Sequence, residues 1–231
     1  MEHGGVIPRV IVLEMYSPSF HNYNYLVVDP SSQQAVVVDP AWQAEKIDQA
    51  LRDVQAKLSG VLVTHSHPDH IHLAHPLAER YGCPIWMSKE EIAVSGFKAR
   101  HLIALDMDPW FVGQMLIEPI LTPGHTPGSV CYLVGNNLFC GDVLFAEGCG
   151  VCPDTAAAHA MFASLENLKA RLSPRTRIFS GHSYGRPPGQ TMSEVLRENV
   201  YLQFSDKGSF AAFRLRRGQK LTLGGQFAWT T

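Results

Sequence analysis

Two periods of apolar residues run along this chain. Tyr23-Asn24-Tyr25-Leu26-Val27-Val28 and Ala35-Val36-Val37-Val38 are β-rich runs separated by the turn-forming cluster Asp29-Pro30-Ser31-Ser32, which predicts a hairpin. Apolar residues then recur at Ile47, Leu51, Val54 and Leu58, the spacing of one helical face, and Gly60 is predicted to stop that helix. Val61-Leu62-Val63 reads as a short buried strand whose end delivers Thr64-His65. A helix with Leu73, Leu77 and Tyr81 on one face and a strand at 85–87 follow, whereas the stretch to Asp108 has no assignable period. Strands are predicted at 115–121, 130–134 and 138–140, the last two joined by Gly135-Asn136-Asn137. A helix carrying Met161, Leu165, Leu168 and Leu172 ends before Pro174, and the strand 177–180 runs into Gly181-His182. Alternating strands and helices after a hairpin predict an α/β protein, with sheets inside and helices outside.

The 231 residues, 45% hydrophobic and 17% charged, suffice for one sizeable core. A formal net charge of -2 offers no basic field for nucleic acid and no polybasic stretch for a membrane surface, so neither partner is expected. No run approaches the length of an apolar membrane span, and residues 1–9 lack the pattern of a secretory signal, so a cytoplasmic location is expected. Five cysteines, an odd number with three in or beside apolar runs, suit buried reduced thiols better than a disulfide framework. Cys149 and Cys152 form one C-x-x-C, a redox pair or half of a metal site by spacing, but no second pair completes a cysteine-rich zinc site.

The chemistry concentrates in His65-Ser66-His67-Pro68-Asp69-His70, four metal-ligating side chains in six residues. Chance would produce such a cluster in a chain of this composition about once in a thousand, so it reads as a site. Imidazole and carboxylate suit zinc and admit iron or manganese. The cluster begins where a buried strand ends, as functional residues do in α/β proteins. His125, Asp142 and His182 share that placement, each beside glycine: Pro123-Gly124-His125, Gly141-Asp142 and Gly181-His182. A metal-bound water can supply hydroxide near neutral pH, so such a cluster predicts hydrolysis without a protein nucleophile.

In order and spacing, His65-x-His67-x-Asp69-His70, His125, Asp142 and His182 resemble the metallo-β-lactamase superfamily. The segments 22–39, 122–129, 141–150 and 181–184 resemble glyoxalase II, a thioester hydrolase within it. The resemblance implies an αββα sandwich of two mixed sheets with helices on the outer faces. It also implies two divalent ions, zinc first: one on His65, His67 and His125, the other on Asp69, His70 and His182, with Asp142 bridging. Asp69 would orient the hydroxide, Asp39 would fix an imidazole ligand, and Tyr184 is a candidate hydrogen-bond donor to substrate or a residue packed at the rim. A thiol leaving group departs as thiolate without an acid, which favours thioesters. The expected organisation is a metallo-hydrolase domain over 1–186, with a short C-terminal helix and tail over 187–231 packed on it.

Against glyoxalase II, this chain has His72-Leu73 in place of small residues after the motif. Val151-Cys152-Pro153 stands where that enzyme supplies a lysine and aromatic contacts to glutathione. A thiol carrier other than glutathione is therefore expected. The tail, from Pro187-Pro188-Gly189-Gln190 through Met192, Val195, Leu196 and Val200 to Phe213-Arg214, resembles the discrete acyl hydrolases of trans-acyltransferase polyketide pathways. That implies a thioester presented by an acyl carrier protein, which the basic run Arg214, Arg216, Arg217 and Lys220 could meet if it is not simply a solvated face. A hydroxyacylglutathione hydrolase (a shortened glyoxalase II), a lactonase, a single-iron persulfide dioxygenase and a metal-stabilised carrier-binding scaffold remain as alternatives. His72 and His75, three apart on a helix, are read as surface or supporting residues rather than a further metal site.

Overall fold

A computed structural model describes residues 7–216 and the backbone of two short strands beyond them. Its two six-stranded sheets face each other. The first contains β1 (Arg9–Tyr16), β2 (His21–Val28), β3 (Gln34–Val38), β4 (Lys57–Leu62), β5 (Ile85–Ser88) and β6 (Leu102–Leu105), in that spatial order. The β1–β2 and β2–β3 pairs are antiparallel, and β3 to β6 run parallel. The second sheet runs in the order β12 (Gln190–Thr191), β11 (Arg177–Ser180), β10 (Asn137–Gly141), β9 (Val130–Val134), β8 (Met115–Leu121) and β7 (Trp110–Val112). Only β10–β11 is parallel in this sheet. A two-residue pair, β13 (Lys220–Leu221) with β14 (Phe227–Ala228), lies apart from both.

Strand alternation sends successive side chains to opposite faces, and here both faces are covered. Tyr25, Val27, Val36, Val38 and Leu62 of the first sheet meet Val130, Tyr132, Phe139 and Phe179 of the second in the central layer. Leu26, Val28, Val37 and Val61 point the other way, against α1 (Ala44–Asp53) and α3 (Ala74–Tyr81). Cys131, Leu138, Cys140 and Ile178 face α5 (Thr155–Arg171), α6 (Met192–Glu198) and α7 (Lys207–Arg214). The result is the expected αββα sandwich. Among the described residues, no helix is long and apolar enough to cross a membrane.

Several elements depart from the sequence reading. The helix predicted to reach Leu58 ends at Asp53: Gln55 takes φ +54°, and Lys57 N–H donates to Gln33 O at 2.8 Å, starting β4 beside β3. Leu58 is thus buried by strand pairing rather than by a helical face, a tertiary contact that overrides local period. Gly60 is no helix stop. It lies within β4 beneath Trp86, where a Cβ would come within 1.9 Å of the indole ring. β1 escaped the reading, and the unassigned stretch before Asp108 holds α4 (Lys89–Ser95) and the edge strand β6, a four-residue apolar run whose two central residues are exposed. Val200 leaves the predicted last helix for a 3₁₀ turn at Val200–Gln203, and α7, begun by the Asp206 cap on Ser209 N–H at 2.8 Å, is additional.

Candidate active site

β4, β8, β10 and β11 end on the same edge of the sandwich, and each hands the chain to a loop or short helix bearing ligand-type side chains. His65 follows β4; Pro68 at the first position of α2 (Pro68–Ile71) starts a helical turn that carries Asp69 and His70. His125 lies in the loop after β8, Asp142 directly after β10, and His182 two residues after β11. Gly141 takes φ +46°, and a Cβ on Gly181 would stand 2.8 Å from Asp142 Oδ1, so both turns need glycine.

All seven sequence-predicted ligands meet there. His67 Nδ1 lies 3.1 Å from His65 Nε2 and 3.0 Å from His125 Nε2. Asp69 Oδ2 lies 3.2 Å from His182 Nε2 and 3.5 Å from His70 Nε2. Asp142 reaches both groups: Oδ2 is 3.6 Å from His125 Nε2, while Oδ1 is 3.5 Å from His70 Nε2 and 3.6 Å from His182 Nε2. His67 is exposed and marks the side open to solvent, Asp142 is half-buried, and the other five are buried.

Four of the five imidazoles are oriented by a contact on the far nitrogen. His125 Nδ1–H donates to Val151 O at 2.9 Å and His182 Nδ1–H to His21 O at 2.9 Å, which leaves Nε2 as the lone-pair atom in both. His70 Nδ1 donates to Asp39 Oδ2 at 2.9 Å. Thr64 Oγ1 also donates to that oxygen, at 2.6 Å, and therefore accepts from His65 Nδ1 at 3.1 Å. Asp39 thus orders His65 and His70 together. Both its oxygens are engaged, Oδ1 accepting from Thr64 N–H at 2.7 Å, so the close grouping of Asp39, His65 and His70 is read as a support and not a third cation site.

The arrangement fits a pair of cations. Two groups, His65/His67/His125 and Asp69/His70/His182, each hold their ligand atoms within 4.8 Å of one another. His70 Nε2 and Asp142 Oδ1 are buried without a hydrogen-bond partner, two orphaned atoms whose lone pairs a cation would satisfy. Burial and the neighbouring imidazoles hold His65 well below the usual histidine range, and so neutral. Burial opposes charge on His70 too, but Asp142, Asp39 and Asp69 outweigh it and push its pKa up to about 10. Those carboxylates make the inner half of the site strongly attractive to positive charge. Asp142 is itself held down against burial by His182, His70 and His125.

Supports that sequence reading missed include Asn22, whose Nδ2 donates to Asp69 Oδ2 at 3.1 Å and Asp69 O at 3.0 Å. Its Oδ1 accepts from Trp42 Nε1 at 2.9 Å. His21 serves through its carbonyl, not its ring. Arg214 is not a surface cation: it is buried, and Nε donates to Gly150 O at 2.8 Å, beside the carbonyl that orients His125. Arg217 and the Lys220 side chain lie outside the described residues. Tyr184 stands at the rim with its ring edge-on to Phe145 at 5.0 Å, and burial pushes its phenol far up. His72 accepts from Trp42 N–H at 3.2 Å, and His75 pairs with Glu79 at 3.7 Å. All five cysteines are buried free thiols; burial pushes Cys152 up to about 11.

Among known proteins, residues 19–182 match the family described as Metallo-beta-lactamase superfamily. The Bacillus velezensis protein named "Probable polyketide biosynthesis zinc-dependent hydrolase BaeB" is 43% identical over 90% of this chain and 93% of its own length. The Bacillus subtilis protein of the same description, PksB, is 41% identical over 86% of this chain and 89% of its own. A hydroxyacylglutathione hydrolase of Pelagibacter ubique is 34% identical over 71% of this chain and 67% of its own. A metallo-beta-lactamase structure from Staphylococcus aureus shares the fold at TM-score 0.81, with 22% identity, covering 90% of this chain and 67% of that one.

Proposed function

The chain belongs to the metallo-β-lactamase superfamily, and from that membership we propose that it is a zinc-dependent thioester hydrolase, releasing acyl groups from an acyl carrier protein in polyketide biosynthesis. The observation that carries the reading is the convergence of two three-ligand groups on the two oxygens of Asp142. We assign one ion to His65, His67 and His125, a second to Asp69, His70 and His182, and contact with both to Asp142. When bound, such a pair supplies a water whose pKa falls from ~15.7 towards ~7 and a Lewis acid for the substrate carbonyl.

The chain's own residues do the rest. Asn22 and His182 hold Asp69 Oδ2 in place, so this carboxylate orients the attacking water as well as binding. Asp39, Val151 O and His21 O keep the imidazole protons on the far nitrogens and the lone pairs turned inward. Tyr184, protonated at neutral pH, donates to the substrate at the open rim. Nothing in the chain needs to protonate the leaving group, because a thiol of pKa ~8.5 departs as thiolate.

The polyketide setting and the zinc preference rest on the names of the two Bacillus proteins, which are more than 40% identical to this chain along nearly its whole length. The carrier-protein thioester rests on the absence of glutathione-type cations in the 151–153 segment. Hydroxyacylglutathione hydrolysis is the second reading, favoured by the 34% identical Pelagibacter ubique relative. A thiol-release panel of acyl carrier protein, acyl coenzyme A, acyl cysteamine and acyl glutathione separates the two, with metal content measured on the same sample. Carrier-type thioesters are expected to turn over faster than the glutathione thioester. The opposite ranking would make the chain a variant glyoxalase II, and hydrolysis of lactones alone would remove the thioester reading.

A further inference from the structure

Glu91 is completely buried in the first turn of α4, and among the described residues no cation forms an ion pair with it. Its charge is met by hydrogen-bond donors from two separate loops. Oε1 accepts from Ser66 N–H at 2.8 Å and Ser66 Oγ at 2.5 Å; Oε2 accepts from Thr126 Oγ1 at 2.6 Å and Gly128 N–H at 3.2 Å. A carboxylate offers about four lone-pair sites, so this one is saturated. Ser66 stands between His65 and His67, and Thr126 follows His125. One buried anion therefore ties together the two chain segments that carry the three-histidine group.

The packing around Glu91 leaves this tie little slack. Gly128 lies against the helix backbone so closely that a Cβ would come within 2.1 Å of Glu91 N. Ser88, the cap of α4, accepts from Glu91 N–H at 3.0 Å and donates to Gly128 O at 2.6 Å, so the same helical turn grips the Gly128 residue at both its N–H and its C=O. Glu91 makes no hydrogen bond to the supports of the other cation group: Asp69 is held by Asn22, His182 by His21 O, and His70 by Asp39, which also reaches His65 through Thr64.

We propose that Glu91 is the positioning residue of the His65/His67/His125 group, setting the separation of His67 and His125, so that this half of the site gains or loses its cation independently of the Asp69/His70/His182 half. The proposal rests on the dinuclear reading above. It holds that Glu91 touches neither ion nor substrate and acts only through Ser66, Thr126 and Gly128.

Glu91→Gln tests it, because a carboxamide presents one acceptor and one donor end to four donors and must break one loop's pair in either orientation. The apoprotein is titrated with zinc against a chromophoric chelator, bound metal is counted, and cadmium NMR resolves the two sites. In Glu91→Gln one ion should bind as in the wild type while the other weakens by roughly 10–100-fold, the usual effect of losing a ligand's support. Only one cadmium resonance should move, and Asn22→Ala should move the other. Unchanged affinity at both sites, or equal loss at both in a folded variant, overturns the proposal. Should Glu91→Gln fail to fold, Ser66→Ala and Thr126→Val each remove one hydroxyl donor; wild-type zinc binding in both would equally overturn it. A wild-type chain that binds one zinc sinks the dinuclear reading instead, and the Glu91 proposal then stands only if that single ion is weakened in Glu91→Gln.

Discussion

At the scale of single residues, the site is a set of imidazoles and depressed carboxylates, with His65, His70, His125 and His182 each held by a hydrogen bond directed away from the centre. Asp69 is the most direct to test, because its proposed role combines a ligand atom with the orientation of water. Asp69→Ala should leave circular dichroism and thermal unfolding of the apoprotein close to wild type while kcat/KM falls by on the order of a hundredfold or more. Undiminished turnover would remove its proposed role. Asp29 shows the same chemistry used for structure. It is buried in the β2–β3 turn and accepts from Ser31 N–H at 2.8 Å, Ser31 Oγ at 2.6 Å, Ser32 Oγ at 2.6 Å and Gln114 N–H at 2.6 Å. Burial raises its pKa, but these donors overcome that and hold the carboxyl well below the usual range. A depressed folded-state pKa stabilises fully above the unfolded value of ~3.9, and the contribution is lost as pH falls below it. Urea unfolding of wild type and Asp29→Asn should therefore differ at pH 7 and converge towards pH 2; a pH-independent gap would show that charge is not what the turn uses.

At the scale of elements, strands carry the site and helices cover it. Local period located α5 and the hairpin correctly, because each buries one unbroken stripe or run. It failed at Leu58 and Gly60, where helix-like spacing continues across the start of β4 and only the neighbouring strand β3 decides which structure forms. Gly60 then acquires a purpose that no propensity scale contains, since Trp86 lies on it and packs at 5.1 Å against Trp110. Gly60→Ala should displace Trp86, cost about 1–3 kcal/mol of stability by overpacking and change tryptophan fluorescence. An unaltered emission spectrum with unchanged urea midpoint would contradict this packing. On the opposite layer, Leu168→Ala removes a fully buried α5 side chain and should cost about 2–5 kcal/mol. Hydrolysis per folded molecule should survive that change, because Leu168 is no part of the site edge.

At the scale of the whole molecule, three apolar layers are complete without the site, which sits where both sheets end. Removing metal should therefore leave the fold standing but weaker. A ligand present at a thousand times its dissociation constant stabilises by about 4 kcal/mol, which for a chain of this size corresponds to roughly ten degrees in Tm. Chelation should lower Tm by that order with far-UV circular dichroism retained, and zinc should restore it; an indifferent Tm would mean the cluster holds no ion in solution. The sequence by itself determined the ligand types, their order and their attachment to strand ends, because a dense His/Asp motif and a buried strand are local in the chain. It also determined the layered α/β class, since period and alternation are local as well. Only the tertiary structure decided how close Asp142 stands to each group, that Arg214 turns inward to Gly150, and that Glu91 joins loops lying 25 and 35 residues from it along the chain. Those are relations between segments distant in sequence, set by how two twisted sheets stack, and no local pattern of residues encodes the distance between them.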